Sequence, residues 1–347
     1  MGSDAAAYRT FRQGVLDIRR LYVEWESTDS ASRPLINRAL ARHGSGDKSD
    51  PKVGARCAYK GCGSKPIYNS HAITKSIGLD PLVEEGHVVR PDLSDPNDPK
   101  VARIGRHRAS TFNGYCNAHE QLFSAAFERH RKLTTPYHHA LQLMRSAARE
   151  AWKKTGFINY MDMNVDAYAA GIDWLSISAE EKQAWTHRIV DPLRVIRRNA
   201  ADELELLTTL QKQLVAVHKG SPLPSQIRVF EYNSNQRVAI SGSTYFKDST
   251  ALLENQVVQL PPHTIVLTAF PNKTENGNTL MLVGSPAGYE VLLDAYVAAH
   301  LRSDQKREQT VREWMTTGTD HWFASPSWWE SLPEAERGLI VEGLKAF

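Results

Sequence analysis

Cysteine is scarce in this chain: of 347 residues, only Cys57, Cys62 and Cys116 carry a thiol. An odd count in a chain whose first residues show no secretory signal argues against a disulfide framework and leaves metal binding as the better use of these side chains. Long apolar runs are missing too. No stretch approaches the ~18 consecutive apolar residues of a membrane-spanning helix, and residues 1–7 lack the basic and apolar regions of a signal. The expected setting is therefore cytoplasmic, with no membrane partner. A Walker loop, a dinucleotide fingerprint and a nucleophile elbow are likewise absent, so nucleotide hydrolysis and acyl transfer have no support. Neither an internal repeat nor a low-complexity tract occurs. What is present includes 41% apolar residues, ordinary for a chain that buries cores.

The formal net charge of +3 conceals an asymmetry. Residues 52–154 hold 17 Lys and Arg against 9 Asp and Glu, while the remainder holds 25 against 30. A basic segment joined to a mildly acidic remainder is the pattern of a phosphate-binding module beside a non-binding one.

Phe11, Val15, Ile18 and Tyr22 recur at helical spacing and predict helix over 5–43, broken at Arg33-Pro34 and followed by a polar linker over 44–51. Another helix is expected over 137–154. The most regular stripe is Leu193, Ile196, Ala200, Leu207, Leu210, Leu214 and Val217, interrupted by Glu203. It predicts a long helix over 192–218 lying on a partner helix, either in the same chain or in a second copy, the latter giving a homodimer through 193–217. Beyond Gly220 the pattern becomes β-rich, with runs at 227–232, 237–241, 256–260, 264–270 and 279–283 and turn residues between them, so an antiparallel sheet is expected. Helices over 289–301, 305–315 and 333–344 close the chain. The expected division is a helical segment and linker over 1–50, a metal-bearing module over 51–135, a helical region over 136–220 and an α+β domain over 221–347 with a sensing or regulatory role.

The chemistry concentrates in Cys57-Ala-Tyr-Lys-Gly-Cys62, Asn69-Ser-His71 and Phe112-Asn-Gly-Tyr-Cys116-Asn-Ala-His119-Glu120. Two close pairs, Cys57 with Cys62 and Cys116 with His119, supply the four S and N donors that a closed tetrahedral structural zinc takes. Gly61 and Gly63 suit a knuckle whose backbone amides face the thiolates. Phe123 and Phe127, four apart, read as core residues of a helix beginning near Asn117. Between His71 and Phe112 a positive stretch bears Arg103, Arg106 and Arg108; with Lys75 these are candidates for contact with a DNA backbone.

These motifs resemble the zinc-bearing HNH, or ββα-metal, endonucleases, in which two knuckles hold a β-hairpin and a helix around one catalytic divalent metal. The resemblance covers about a fifth of the chain and extends to a bacterial HNH-like subgroup that pairs Ser-His with Cys-x-x-His-Asp. It implies an α+β fold with a small zinc-stapled ββα module flanked by helices. It implies His71 as general base, because a neutral imidazole can take a proton from the attacking water at physiological pH. Glu120 and Ser70 fall where the family places ligands of Mg²⁺ or another divalent cation, and Asn113 where it orients the imidazole. The chain has Ser70 where many members have Asp, and Glu120 where they commonly have His; His87 and Glu128 are candidates for a completing ligand. DNA is then the substrate and anti-phage defence a possible setting. A zinc-stapled module that binds nucleic acid without cutting it, and a structural zinc domain of an assembly protein, are the competing expectations.

Overall fold

The computed structural model describes residues 56–67, 70–93, 98–174, 177–222, 226–247, 249–253, 256–272 and 278–344. The N-terminal helical segment and the linker expected over 1–51 lie outside them. The fold is mixed α+β, with an antiparallel sheet and helices. By contacts the chain divides into two compact units, residues 1–53 with 153–204, and residues 54–152 with 205–347. The second unit therefore unites the cysteine region with the β-rich C-terminal part, which the sequence divides at 135/136 and 220/221.

Strands β1 (Ser70–His71) and β4 (Thr111–Phe112) form a short antiparallel ladder, with Ser70 opposite Phe112 and His71 opposite Thr111. Helix α1 (Asn117–Phe123) follows. Between the two strands, the stretch expected as a loop forms a hairpin of β2 (His87–Asp92) and β3 (Lys100–Gly105).

That hairpin belongs to a larger sheet. Strands β5 (Ile227–Tyr232), β6 (Val238–Phe246), β9 (His263–Pro271), β10 (Thr279–Gly284) and β11 (Trp322–Ala324) join it in the order β3-β2-β11-β6-β9-β10-β5, every neighbour antiparallel. Strands β7 (Ser249–Leu253) and β8 (Gln256–Leu260) pair separately. β11 is the joint, because Ala324 pairs with Val89 of β2 on one side and with Val238 of β6 on the other.

All residues of β10, and all of β9 except Pro271, are buried. A strand covered on both faces loses the in–out alternation of a half-exposed one, which is why these two read as continuous apolar runs. One face packs Ile240, Leu267, Met281, Val283 and Trp322 against Leu293, Leu301, Val311, Trp314 and Ile340. These come from α5 (Glu290–His300), α6 (Asp304–Glu313), the helical turn Trp314–Gly318 and α8 (Glu334–Leu344). On the other face Gly78 lies against Phe270 and Gly284 against Leu143, so close that a Cβ at either glycine would collide.

Helices α2 (Pro136–Trp174) and α4 (Asp191–His218) carry the remaining helical mass, with the short α3 (Ala179–Trp185) between them. Helix α2 runs past the expected end at 154; Gly156, Asn159 and Asn164 depress the propensity that a sequence reading weighs. The Ser178-x-x-Glu181 capping box that opens α3 was legible and overlooked. In the first unit Lys154 pairs with the buried Glu203, and Arg197 grips Asp162 at 2.8 Å. The interruption in the apolar stripe is thus a paired carboxylate. Leu193, Ala200, Leu207, Leu210, Leu214 and Val217 are buried, and Ile196 is half-buried. Among the described residues no helix is long and apolar enough to cross a membrane.

Candidate metal centre and active site

The first knuckle is closed by its own backbone. Cys57 donates its N–H to Ser64 O at 2.8 Å and Cys62 donates to Tyr59 O at 3.0 Å. The turn needs φ of +87° at Gly61, a conformation that glycine adopts without a Cβ penalty. The second knuckle is a helix start: Cys116 is the last extended residue before α1, and His119 lies one turn into the helix, its N–H on Cys116 O at 3.0 Å. Ala58 N–H to Gly114 O at 2.7 Å and Ile67 N–H to Tyr115 O at 2.8 Å dock one knuckle on the other.

This docking gathers the four expected ligands. The Cys57, Cys62 and Cys116 sulfurs and a His119 nitrogen all lie within 4.8 Å of one another. Cys116 Sγ stands 3.2 Å and Cys57 Sγ 3.4 Å from His119 Nδ1, and Cys62 Sγ stands 3.9 Å from Cys116 Sγ. Ligands at ordinary Zn–S and Zn–N distances around a tetrahedral ion stand about 3.5–3.8 Å apart, so the group can hold a metal ion such as zinc. Its surroundings suit one. The Cys116 N–H reaches Cys57 Sγ at 3.3 Å, and Ser64 hydrogen-bonds Cys62. Burial pushes the Cys57 thiol up to about 12, the signature of a sulfur whose thiolate requires a cation beside it. Burial pushes His119 below the usual histidine range, keeping the imidazole neutral as a ligand must be. Tyr59 stacks on His119 with ring centroids 3.8 Å apart and meets His218 edge-on; His218 Nδ1 lies 2.6 Å from Tyr137 Oη. Sequence reading missed this aromatic support, since nothing in the spacing of 59, 137 and 218 links them.

Comparison with protein-family models, curated proteins and solved structures found no match.

The presumed catalytic residues divide. Ser70 is fully buried and its Oγ accepts the Tyr115 N–H at 2.7 Å. Glu120 lies in the first turn of α1. His71, next in the chain, pairs with Thr111 in the ladder, and both are half-buried, as is Asn113 two residues on. Glu120 Oε1 is buried with no hydrogen-bond partner, an orphaned acceptor suited to a cation. Its Oε2 lies 3.5 Å from Arg145 Nη2.

Glu128 is engaged otherwise. Its carboxylate takes the Lys75 N–H at 3.1 Å, the Ser76 N–H at 2.9 Å and the Ser76 hydroxyl at 2.6 Å, capping the helical turn Lys75–Leu79, and receives Arg145 Nη1 at 2.8 Å. Burial pushes its pKa up, but Arg145 and the Ser76 bonds outweigh that and hold it at about 2. Glu120 has fewer bonds, so burial wins over Arg145 and it rests above the ordinary carboxylate range. His87, exposed at the start of β2, turns its Nδ1 to Glu85 O at 2.8 Å.

Arg145, 1% exposed and 4.8 Å over the Phe123 ring, is the residue sequence reasoning missed. The signal was a cation inside the otherwise apolar stripe Leu141, Met144, Ala148 of α2. Among the candidate DNA contacts, Arg103 is exposed and flanked by Glu85 and Glu330 at 3.7 and 3.5 Å. Arg108 is exposed on the turn after β3. Lys75 and Arg106 meet at His107.

Proposed function

We propose that the chain is a metal-dependent DNA endonuclease of the HNH, ββα-metal type. The observation that carries this reading is the hydrogen bond that Tyr115 N–H donates to Ser70 Oγ at 2.7 Å. It ties the ladder that bears His71 to the Cys116–His119 knuckle that opens α1, in the order strand, strand, helix that such a site requires.

In this reading Cys57, Cys62, Cys116 and His119 hold a structural zinc that fixes the pitch of α1, and so the position of Glu120. His71 takes the proton from a water attacking phosphorus, while the P–O3′ bond breaks. A hard divalent ion such as Mg²⁺, held through Glu120, would supply charge neutralisation at the phosphoryl group and the departing 3′ oxygen. Asn113, two residues after Thr111, would orient the imidazole. Arg145 steadies the Glu120 carboxylate, but its fixed charge opposes a second cation. Ser70 is engaged with Tyr115 N–H, which leaves Glu120 as the donor beside His71 as base, so divalent affinity is expected to be weak.

The same two features favour a second reading, a zinc-stapled module that binds nucleic acid without cutting it. A labelled duplex incubated with Mg²⁺ or Mn²⁺ separates the two. Cleavage lost in both His71→Ala and Glu120→Gln, with zinc content unchanged, is the expected result. Cleavage retained in either variant contradicts the assignment, and salt-sensitive binding without cleavage supports the second reading.

A further inference from the structure

The turn that follows β3 holds a group of cations with too few acceptors. Lys75 Nζ lies 3.1 Å from His107 Nδ1, and Arg106 Nε points at His107 Nε2 from 3.4 Å. A neutral imidazole has one acceptor nitrogen and one N–H, and an imidazolium has no acceptor. At least one of the two cationic donors is therefore left without a real bond. Arg131 adds a third cation, and among the described residues the carboxylate beside the group is Asp80, 3.9 Å from Arg106 and 4.0 Å from Arg131, beyond hydrogen-bond reach. Arg103 differs, because Glu85 and Glu330 already flank it.

The group sits at the end of the ladder that carries His71. Ala72 N–H donates to Ser110 O and Ile73 N–H to Ser110 Oγ, each at 2.9 Å, which laces the segment leading to Lys75 onto the turn leading from His107. Lys75, Arg106 and His107, on two segments pinned together, with Arg131 beside them at Asp80, form a receptor for a tetrahedral anion whose oxygens accept several bonds at once.

We propose that Lys75, Arg106, His107 and Arg131 form a clamp for one backbone phosphate of a nucleic acid, beside the phosphodiester presented to His71. The clamp narrows the basic stretch from a diffuse track to a single subsite, with His107 as the member that organises the two cations. It rests on the nuclease reading for the identity of the neighbouring phosphodiester, but its binding function does not require cleavage.

The test is fluorescence anisotropy of a labelled DNA duplex with the full, zinc-loaded chain and no added Mg²⁺ or Mn²⁺, across a range of KCl. Each phosphate neutralised contributes about −0.9 to the slope of log K against log salt. Lys75→Gln/His107→Gln is expected to weaken binding about tenfold or more at low salt and to flatten the slope by about one unit, whereas Lys212→Gln on α4 leaves both unchanged. Wild-type affinity and slope in the double variant, or no salt-dependent binding by the wild-type chain, would overturn the clamp. Displacement by potassium phosphate but not by KCl of equal ionic strength would assign the group to a small free anion and also overturn it. Cleavage assayed separately distinguishes the two failures: a clamp that binds while Mn²⁺ yields no product sinks the nuclease reading alone.

Discussion

The Cys57–Glu128 region and the C-terminal sheet belong to one compact unit yet are held together by different physics. The sheet rests on apolar burial: Ile240, Leu267, Met281, Val283 and Trp322 pack on the helices that cover them, and backbone ladders satisfy the strands. Apart from the β2–β3 hairpin, which belongs to the sheet, the other region has a ladder of two residue pairs, four converging residues able to hold a metal and a buried Arg145 serving two carboxylates. The first should therefore be indifferent to chelators and acid, and the second sensitive to both. The proposed function falls in the part whose stability is conditional.

The sharpest way to break the comparison is to remove the metal. Structural zinc contributes on the order of 10 kcal/mol to small domains at neutral pH. Chelation, or Cys116→Ser, is expected to abolish amide protection over 57–79 and 110–128 while the sheet, including β6, β9 and β10, keeps its own, as read by hydrogen exchange. Equal loss in both regions would show that they unfold as one.

Next come single side chains. Trp322→Ala should cost about 3–5 kcal/mol by opening a cavity in the sheet's core, and denaturant melts would show it with zinc retained. Arg145→Ala should cost a similar ~3–5 kcal/mol by stranding Glu120 and Glu128 in a buried site, and unlike Trp322→Ala it should lower zinc retention, because α1 loses its brace.

Acid supplies a smaller lever. Glu128 is held at about 2, below the ordinary 4.5 of an unfolded glutamate. Its contribution is therefore fully present above about 4.5 and is lost as pH falls toward about 2, up to about 3 kcal/mol in all. Urea melts between pH 6 and 3 should show this slope, and Glu128→Gln should flatten it. Glu120 has the opposite sign. Its folded pKa lies above the unfolded value, so the charge costs stability at neutral pH. Glu120→Gln is expected to raise stability while abolishing cleavage, the trade a functional carboxylate makes. A destabilised Glu120→Gln would mean that the residue is structural.

The two regions were also unequally legible in the sequence. Cys57, Cys62, Cys116 and His119 could be read as one group because ligand chemistry is encoded in residue type and short spacing. Strands at 227–232 and 279–283 and the helix over 192–218 emerged because hydrophobic periodicity is local. The β2–β3 hairpin did not, since Arg90, Pro91 and the interrupted apolar pattern hide strands that join the larger sheet through Trp322–Ala324, more than 200 residues on. That short strand is the seam that welds the hairpin to the sheet. Arg145 escaped because its partners, Glu120 and Glu128, lie on another element, and the opposed fates of those two acids depend on hydrogen bonds from Lys75 and Ser76 that no spacing announces.

The central claim is tested most directly by incubating supercoiled plasmid with the zinc-loaded protein, with and without Mn²⁺ or Mg²⁺, beside His71→Ala. The account predicts divalent-dependent nicking that falls by about 10²–10⁴-fold when the base is removed. Nicking of undiminished rate in folded, zinc-bearing His71→Ala would contradict it.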